Sequence, residues 1–281
     1  MKPEMLNGSE IRIATEKTTN ALEILKKVTE ISLILLATVM IILVFWGIDK
    51  GINLVDESFY LQGYQAGQEK IVTLIAFTLL VISRLFGWLT NVIQFRILSI
   101  VLTVISSIIF TLGFYRFMKY VYPNKRIVLR LFTLLVWFVG VGFCWCIAIP
   151  LTFSYNIFVQ VVLMTIAGLF LYLLSFENTN QMIFRLWLIE ATIGFLTAMV
   201  LLVKPPSAIL IVATNVCFIA ILLYRDRSIT FKNSPFIPFL IGILSGLVVV
   251  LFGLHTFSDF KYSFTSNQNI ASHDIRDVVI T

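Results

Sequence analysis

Long apolar runs determine what this chain can fold into. Each of seven runs is long enough, or nearly so, to cross the ~30 Å hydrocarbon core of a bilayer as a helix. They cover residues 29 to 48, 97 to 118, 130 to 149, 156 to 175, 187 to 203, 207 to 224 and 235 to 254. The prolines, which interrupt helix interiors, all fall in the tails, in connections or near the ends of these runs. We therefore predict an all-α, polytopic membrane protein with about seven transmembrane helices.

The composition excludes an ordinary water-soluble protein. Only 13% of the 281 residues are charged and 59% are hydrophobic, whereas soluble domains carry about 25% charged residues. The polar stretches at the two ends, ~27 residues each, are too short to form domains of their own. The excess of basic residues lies beside the apolar runs, where such residues are topology signals, so we expect no nucleic-acid partner.

The basic residues also predict an orientation. If the N-terminus is cytoplasmic, 14 of the 21 Lys and Arg residues lie on the inner side, as the positive-inside rule favours. The predicted organisation is a cytoplasmic segment (1–28), a transmembrane module (29–254) with a first outer loop (49–96), and an outer-face tail (255–281). The tail resembles the start of another outer loop, which suggests a truncated chain or a separate partner chain. Short loops and the lack of a targeting sequence suggest a bacterial inner membrane.

One segment leaves the number of spans open. Residues 71–95 are apolar enough to cross the membrane except for Arg84 in the middle. A crossing here would move every later loop to the other side and reverse the charge bias. We therefore predict an interfacial helical segment within the first outer loop.

Several residues that often carry chemistry form weak patterns here. Cys144 and Cys146 diverge by roughly 200° on a helix and cannot share a metal, so we interpret them, and Cys217, as small buried hydrophobic residues. Gly242 and Gly246 have the spacing of close helix packing. No metal site and no cofactor are predicted.

The first outer loop holds the most suggestive ionisable residues. Asp56 and Glu57 are adjacent and precede a plausible short helix with aromatic residues that include Tyr60. Asp56 as the N-cap of that helix and Glu57 as a favourable charge near its dipole are one interpretation. The other is a site, and since adjacent carboxylates diverge by ~100° on a helix, one of the two would point into it.

The sequence DESFYLQGYQ in this loop resembles that of the C-type membrane glycosyltransferases, especially the protein O-mannosyltransferase and aminoarabinose transferase branch. PLTFSYNIF (150–158) and VKPPSAILI (203–211), both at outer helix junctions, are further points of likeness, and the seven-span arrangement resembles the N-terminal module of that superfamily. The resemblance implies transfer of a sugar from a polyprenyl-phosphate carrier to an acceptor hydroxyl at the outer, periplasmic face. Members of the family usually continue with more spans and often an outer domain.

The resemblance also implies roles for particular residues. Asp56 takes the position of the base that accepts the proton of the acceptor hydroxyl, with Glu57 beside it. The departing lipid phosphate needs a cation. By topology Lys204, at the outer end of a span, is the leading candidate, and Arg84 and Arg96 in the same outer layer are reserves. The remaining candidates for substrate binding are Tyr60, Tyr155 and Asn156.

Each of these residues also has a structural interpretation. Lys204 at a span end can extend to the interface, Arg84 and Arg96 can anchor the interfacial segment, and Tyr155 fits the aromatic belt. Glu190 lies near the inner end of the fifth span, where a charge is a functional hint but snorkelling is also feasible.

Two other classes of function remain open. One is a non-catalytic or truncated membrane protein that binds a lipid-linked sugar or acts as a subunit. The other is a transporter, which is weaker because the spans have few charges at mid-membrane and lack matching broken helices in two halves.

Overall fold

The computed structural model describes residues 8–49, 81–82, 84–89, 91–123, 130–148, 153–175, 183–225, 234–254, 256–258 and 261. Within these ranges the chain forms long helices and no strands. The helices are α1 (Gly8–Trp46), α2 (Val92–Val121), α3 (Leu131–Ala148), α4 (Tyr155–Leu174), α5 (Ile183–Val203), α6 (Pro205–Arg225) and α7 (Phe236–Val248), the last continued by a π-helical turn (Val249–Gly253).

The predicted all-α polytopic membrane architecture is confirmed. Each of the seven apolar runs forms a helix, and six helices in the described ranges are long and apolar enough to cross a membrane. The remaining helix of the seven, α3, has 18 residues and is also apolar. The helix ends differ from the predicted ones: α1 begins at Gly8, well inside the segment predicted to be cytoplasmic, and α2 begins at Val92, inside the predicted outer loop.

Glycines bring together helices that are two apart in the chain. Gly140 of α3 lies against Ala37 of α1, where an added Cβ would come within 2.6 Å of the alanine Cβ. Gly113 of α2 and Gly168 of α4 face each other backbone to backbone. Contacts between α2 and α4 advance together along both helices, from Ser106 with Met164 to Arg116 with Tyr172, so α2·α4 is a parallel pair. Alternating spans predict the same relative direction for α1 and α3.

The pair α5·α7 is also parallel and also has close backbone contacts. Gly194 lies on the carbonyl of Phe239, and Gly242 lies on the carbonyl of Ala191. A Cβ at Gly246 would come within 2.7 Å of the Ala198 Cβ. The prediction that Gly242 and Gly246 serve close helix packing is therefore confirmed.

Small hydroxyl residues line the face of α2 that meets its neighbours. Ser99, Thr103, Ser106, Ser107 and Thr111 are buried there. Where bonds are resolved, their hydroxyls donate to carbonyls one turn earlier, as Ser107 Oγ does to Thr103 O at 2.7 Å. Hydroxyls that bond to their own helix leave a narrow surface on which α4 can pack closely.

The main apolar core lies between α4, α5, α6 and α7 and includes residues just before α2. Val81, Ile82 and Leu89 are buried in it, and the Phe86 ring meets the Phe153 ring edge to face at 5.5 Å. The described part of the ambiguous segment is not one continuous helix, because it turns at residues 86–88 before Asn91 caps α2. Residues 71–80, the first ten of the predicted interfacial segment, lie outside the described residues.

The cysteines are a correction to the sequence analysis. Cys144 and Cys217 are both exposed on helix surfaces, so the prediction of burial is wrong for these two. A bilayer-facing surface is as suitable for a small apolar side chain as a protein core, because lipid tails are also apolar. The side chain of Cys146 lies outside the described part.

Candidate functional site

Three of the predicted site residues meet at one end of the helix bundle. The Nζ of Lys204 donates a hydrogen bond to Oδ1 of Asn156 at 3.3 Å. The same ammonium lies 5.8 Å from the centre of the Tyr155 ring, within the range of a cation–π contact. We call Lys204, Asn156 and Tyr155 the lysine cluster, and the end of the bundle that holds it the Lys204 end.

The local sequence fixes the position of Lys204. It is the only residue between α5 and α6, and its N–H donates to Val200 O at 2.7 Å while its carbonyl accepts from Ser207 N at 3.0 Å. Pro205 and Pro206 follow, and proline suits the first helical positions because their N–H groups would have no intrahelical acceptor. The lysine therefore sits in a one-residue turn between two antiparallel helices.

The start of α4 positions the other two residues of the lysine cluster. Ser154 caps α4, since its Oγ accepts from Ile157 N at 3.4 Å and its carbonyl accepts from Phe158 N at 2.9 Å. Phe153 and Ser154 are fully buried, which anchors the start of α4. Tyr155 and Asn156 follow as its first two residues, half-buried beside Lys204.

The electrostatics of the lysine cluster favour an anion. Asn156 and Tyr155 are neutral, and in the part of the chain that the structure describes no carboxylate forms an ion pair with Lys204. The N-terminus of α4, with its partial positive charge, lies at the same place. A half-buried ammonium held by neutral groups beside a helix N-terminus is suited to a phosphate or carboxylate.

An apolar groove begins one helical turn from Lys204. It has a volume of about 290 Å³, its lining is apolar, and it opens on the surface of the bundle between α5, α6 and α7. Leu201 and Ala208, three residues before and four residues after the lysine, lie at its near end by helix position. The lining residues are Thr197, Ala198, Leu201, Ala208, Ile209, Val212, Ala213 and Ile243.

Arg96 is engaged with the end of α1. Its side chain is 4% exposed, and its Nη1 donates to the carbonyl of Ile48 at 2.7 Å and to that of Gly47 at 3.4 Å. Carbonyls just past a helix end lack partners within the helix, so the guanidinium stabilises the terminus of α1. Its predicted part in binding a phosphate stays a prediction.

The remaining predicted site residues are not part of the lysine cluster as the structure describes it. Arg84 is exposed, in the short helical segment before α2. Asp56, Glu57 and Tyr60 lie outside the described residues. The end of α1, which precedes them in the chain, lies at the Lys204 end, because Arg96 at the start of α2 binds it and α2 and α4 are parallel.

A buried polar pair lies within the helix bundle, and the sequence analysis identified only one of its two members. Glu190 of α5 is fully buried and interacts with the side chain of Asn215 of α6, which is also fully buried. The possibility that Glu190 snorkels to the interface is therefore wrong. Asn215 was not singled out, although an asparagine in the middle of an apolar run is a signal that could have found it.

Comparisons with protein-family models, with curated proteins and with solved structures found no match to this chain.

Proposed function

We propose that this protein is a membrane glycosyltransferase that moves a sugar from a polyprenyl-phosphate carrier to an acceptor hydroxyl at the periplasmic face of a bacterial inner membrane. The observation that carries the proposal is the lysine cluster with the apolar groove beginning one turn away. A polyprenyl phosphate has the matching parts, an anionic head and a long apolar tail.

The head of the carrier would bind at Lys204. Asn156 orients the ammonium through a single hydrogen bond of 3.3 Å, which leaves the other two donors of the ammonium for phosphate oxygens. Positive charge held at this point stabilises the phosphate as the bond to the sugar breaks and negative charge develops on the leaving oxygen.

The tail of the carrier would lie in the groove. A cavity that opens on the bilayer-facing surface lets a lipid enter sideways without leaving the hydrocarbon. At ~25 cal/mol per Å² of apolar surface, contact with the groove adds affinity for a prenyl chain mainly where its fit exceeds that of bulk lipid. The groove thus selects the carrier by shape, and Lys204 selects it by charge.

The acceptor would be activated by Asp56. In this proposal the carboxylate accepts the proton of the acceptor hydroxyl while the hydroxyl oxygen forms a bond to the anomeric carbon and the carrier phosphate leaves. The end of α1 at the Lys204 end supports this arrangement, because α1 ends at Trp46, ten residues before Asp56.

Binding and transfer measured separately test the proposal. The purified chain in lipid nanodiscs is titrated with a polyprenyl-phosphate sugar, and release of the carrier phosphate is then followed with an acceptor extract. Lys204→Ala should weaken binding about tenfold or more, since a hydrogen bond to a charged group contributes about 1.5–3 kcal/mol. Asp56→Ala should bind normally and lose transfer.

Lys119→Ala is the matched control for Lys204→Ala. Lys119 also lies over a tyrosine, with its Nζ 5.0 Å from the Tyr115 ring, but near the C-terminus of α2. Its replacement should leave carrier affinity unchanged. Equal affinity in wild type and Lys204→Ala would contradict the carrier site, whereas normal binding with no transfer by wild type would favour the non-catalytic alternative, a protein that binds a lipid-linked sugar or acts as a subunit.

A further inference from the structure

The Glu190–Asn215 pair carries four polar atoms with no hydrogen-bond partner among the described residues. They are both carboxyl oxygens of Glu190 and both Oδ1 and Nδ2 of Asn215. Both residues have 0% of their surface exposed. The two side chains interact without reaching hydrogen-bond geometry, and buried polar atoms in proteins nearly always have a partner.

The pair lies deep in the bundle. At 1.5 Å per residue, Glu190 is about 10 Å from the first residue of α5 and about 20 Å from its last. Asn215 is about 15 Å from either end of α6. Neither side chain can therefore be satisfied by water at an interface, and an uncompensated carboxylate at such depth costs several kcal/mol or more.

The described neighbours supply no counter-charge. On α5 itself, Arg185 is exposed and Lys204 lies about 21 Å along the helix. α4 offers Tyr155 and Tyr172, which contact Lys204 and Arg116. α6 offers Cys217, which is exposed, Tyr224, which is 88% exposed, and its last residue Arg225, which lies about 15 Å along the helix from Asn215. The described part of α7 contains no titratable residue.

We propose that Glu190 and Asn215 form a binding site for a small monovalent cation, H⁺ or Na⁺, within the membrane between α5 and α6. The site has one negative charge and three oxygen ligands, the two of Glu190 and Oδ1 of Asn215. Ca²⁺ takes six to eight oxygens and Mg²⁺ an octahedral set, and either would leave a net positive charge buried. A monovalent ion neutralises the carboxylate and completes its bonding.

The experiment is infrared difference spectroscopy on the purified full chain in nanodiscs, in Na⁺-free buffer at neutral pH and after addition of NaCl or choline chloride. If the site holds H⁺, the wild type shows the C=O stretch of a carboxylic acid, and Glu190→Gln loses it. If the site holds Na⁺, adding NaCl but not choline chloride changes the carboxylate bands, and Glu190→Gln removes that response. Glu23→Gln, which changes an exposed carboxyl on α1, should retain either signal.

Two further measurements keep the test independent of whether Glu190→Gln folds. Asn215→Leu should shift the frequency of the Glu190 band, because the band loses its amide neighbour. A hydrophobic carbodiimide, which reacts with protonated carboxyls in membranes, should label Glu190 in the wild type, and Na⁺ should suppress the labelling if it occupies the site. A wild type with no acid band, no adduct on Glu190 and no response to Na⁺ would overturn the proposal.

The proposal does not depend on glycosyl transfer. Each measurement is made without a sugar donor, so failure of carrier binding and failure of cation binding are separate results.

Discussion

At the scale of single residues, Asn156 orients the Lys204 ammonium without neutralising its positive charge. It accepts from Lys204 through a neutral amide oxygen. Asn156→Ala should weaken polyprenyl-phosphate affinity several-fold. The substitution removes the hydrogen bond that positions Lys204, and a hydrogen bond of this kind contributes about 1 kcal/mol. Asn156→Asp should weaken it further, because a carboxylate at that place neutralises Lys204 and repels the phosphate.

The wild type, Asn156→Ala and Asn156→Asp are each titrated with the carrier under the same conditions, and the titrations are repeated at high salt. Salt screens charge repulsion, so the difference between the two variants should narrow as salt rises. Tighter binding by Asn156→Asp than by Asn156→Ala would contradict an anionic ligand at this cluster.

Arg96 gives a prediction about stability. Arg96→Ala removes the donor to the Ile48 and Gly47 carbonyls and should destabilise the protein by about 1.5–3 kcal/mol. Arg84→Ala is the control, and at an exposed position it should stay within ~0.5 kcal/mol. Thermal unfolding in detergent compares them. An Arg96→Ala protein with normal stability and reduced carrier affinity would instead assign Arg96 to the ligand.

The lysine cluster and Arg96 show which single-residue contacts the sequence could predict and which it could not. Lys204, Tyr155 and Asn156 were predicted to share an end of the bundle because proline-rich and polar junctions mark helix ends, and the structure brings them together. The partner of Arg96 could not be predicted in the same way, because its acceptors are backbone carbonyls. Any residue type supplies a carbonyl, so only the packing of α2 on α1 identifies which ones.

At the scale of helices, the glycine contacts give the sharpest prediction. Gly113→Ala would place a Cβ on the backbone of Gly168, so the pair α2·α4 would have to separate. Overpacking of this kind costs about 1–3 kcal/mol or more. At Gly253 the nearest atom to an added Cβ, Val249 Cγ1, is 3.9 Å away, an ordinary contact, so Gly253→Ala is the matched control and should be nearly neutral.

Thermal unfolding of the two variants in the same detergent checks this prediction. A Gly113→Ala protein as stable as Gly253→Ala would mean that α2 and α4 do not approach as closely as the glycine contact requires.

Hydropathy predicted the helices better than their ends. The apolar runs predicted that all seven helices exist and in which order they occur, because the thickness of the bilayer sets the length of an apolar spanning helix. The start of α1 at Gly8 was missed, because a helix can continue into water once its polar residues are satisfied there. The start of α2 was missed because Asn91 and Gln94 form a capping box that no hydropathy window detects.

At the scale of the whole molecule, the orientation in the membrane is open to a direct test. The bias of 14 of 21 basic residues predicts that the Lys204 end faces outward. Single cysteines at position 119 and at position 206, in a chain with Cys144, Cys146 and Cys217 replaced, should differ in intact cells. An impermeant maleimide should label position 206 and spare position 119 until the cells are opened. The reverse pattern would move the lysine cluster to the cytoplasmic side.

The glycine contacts that join α1 to α3, α2 to α4 and α5 to α7 have a consequence for biogenesis. Membrane helices enter the bilayer in the order of their synthesis, so α1 has no tight mate until α3 is complete, and α5 has none until α7 is complete. During each interval the surface that will be covered faces lipid. In a nascent chain that stalls after α6, Gly194 has no Phe239 to pack against, so the insertion of α7 completes the packing of the helices that carry Lys204 and Glu190.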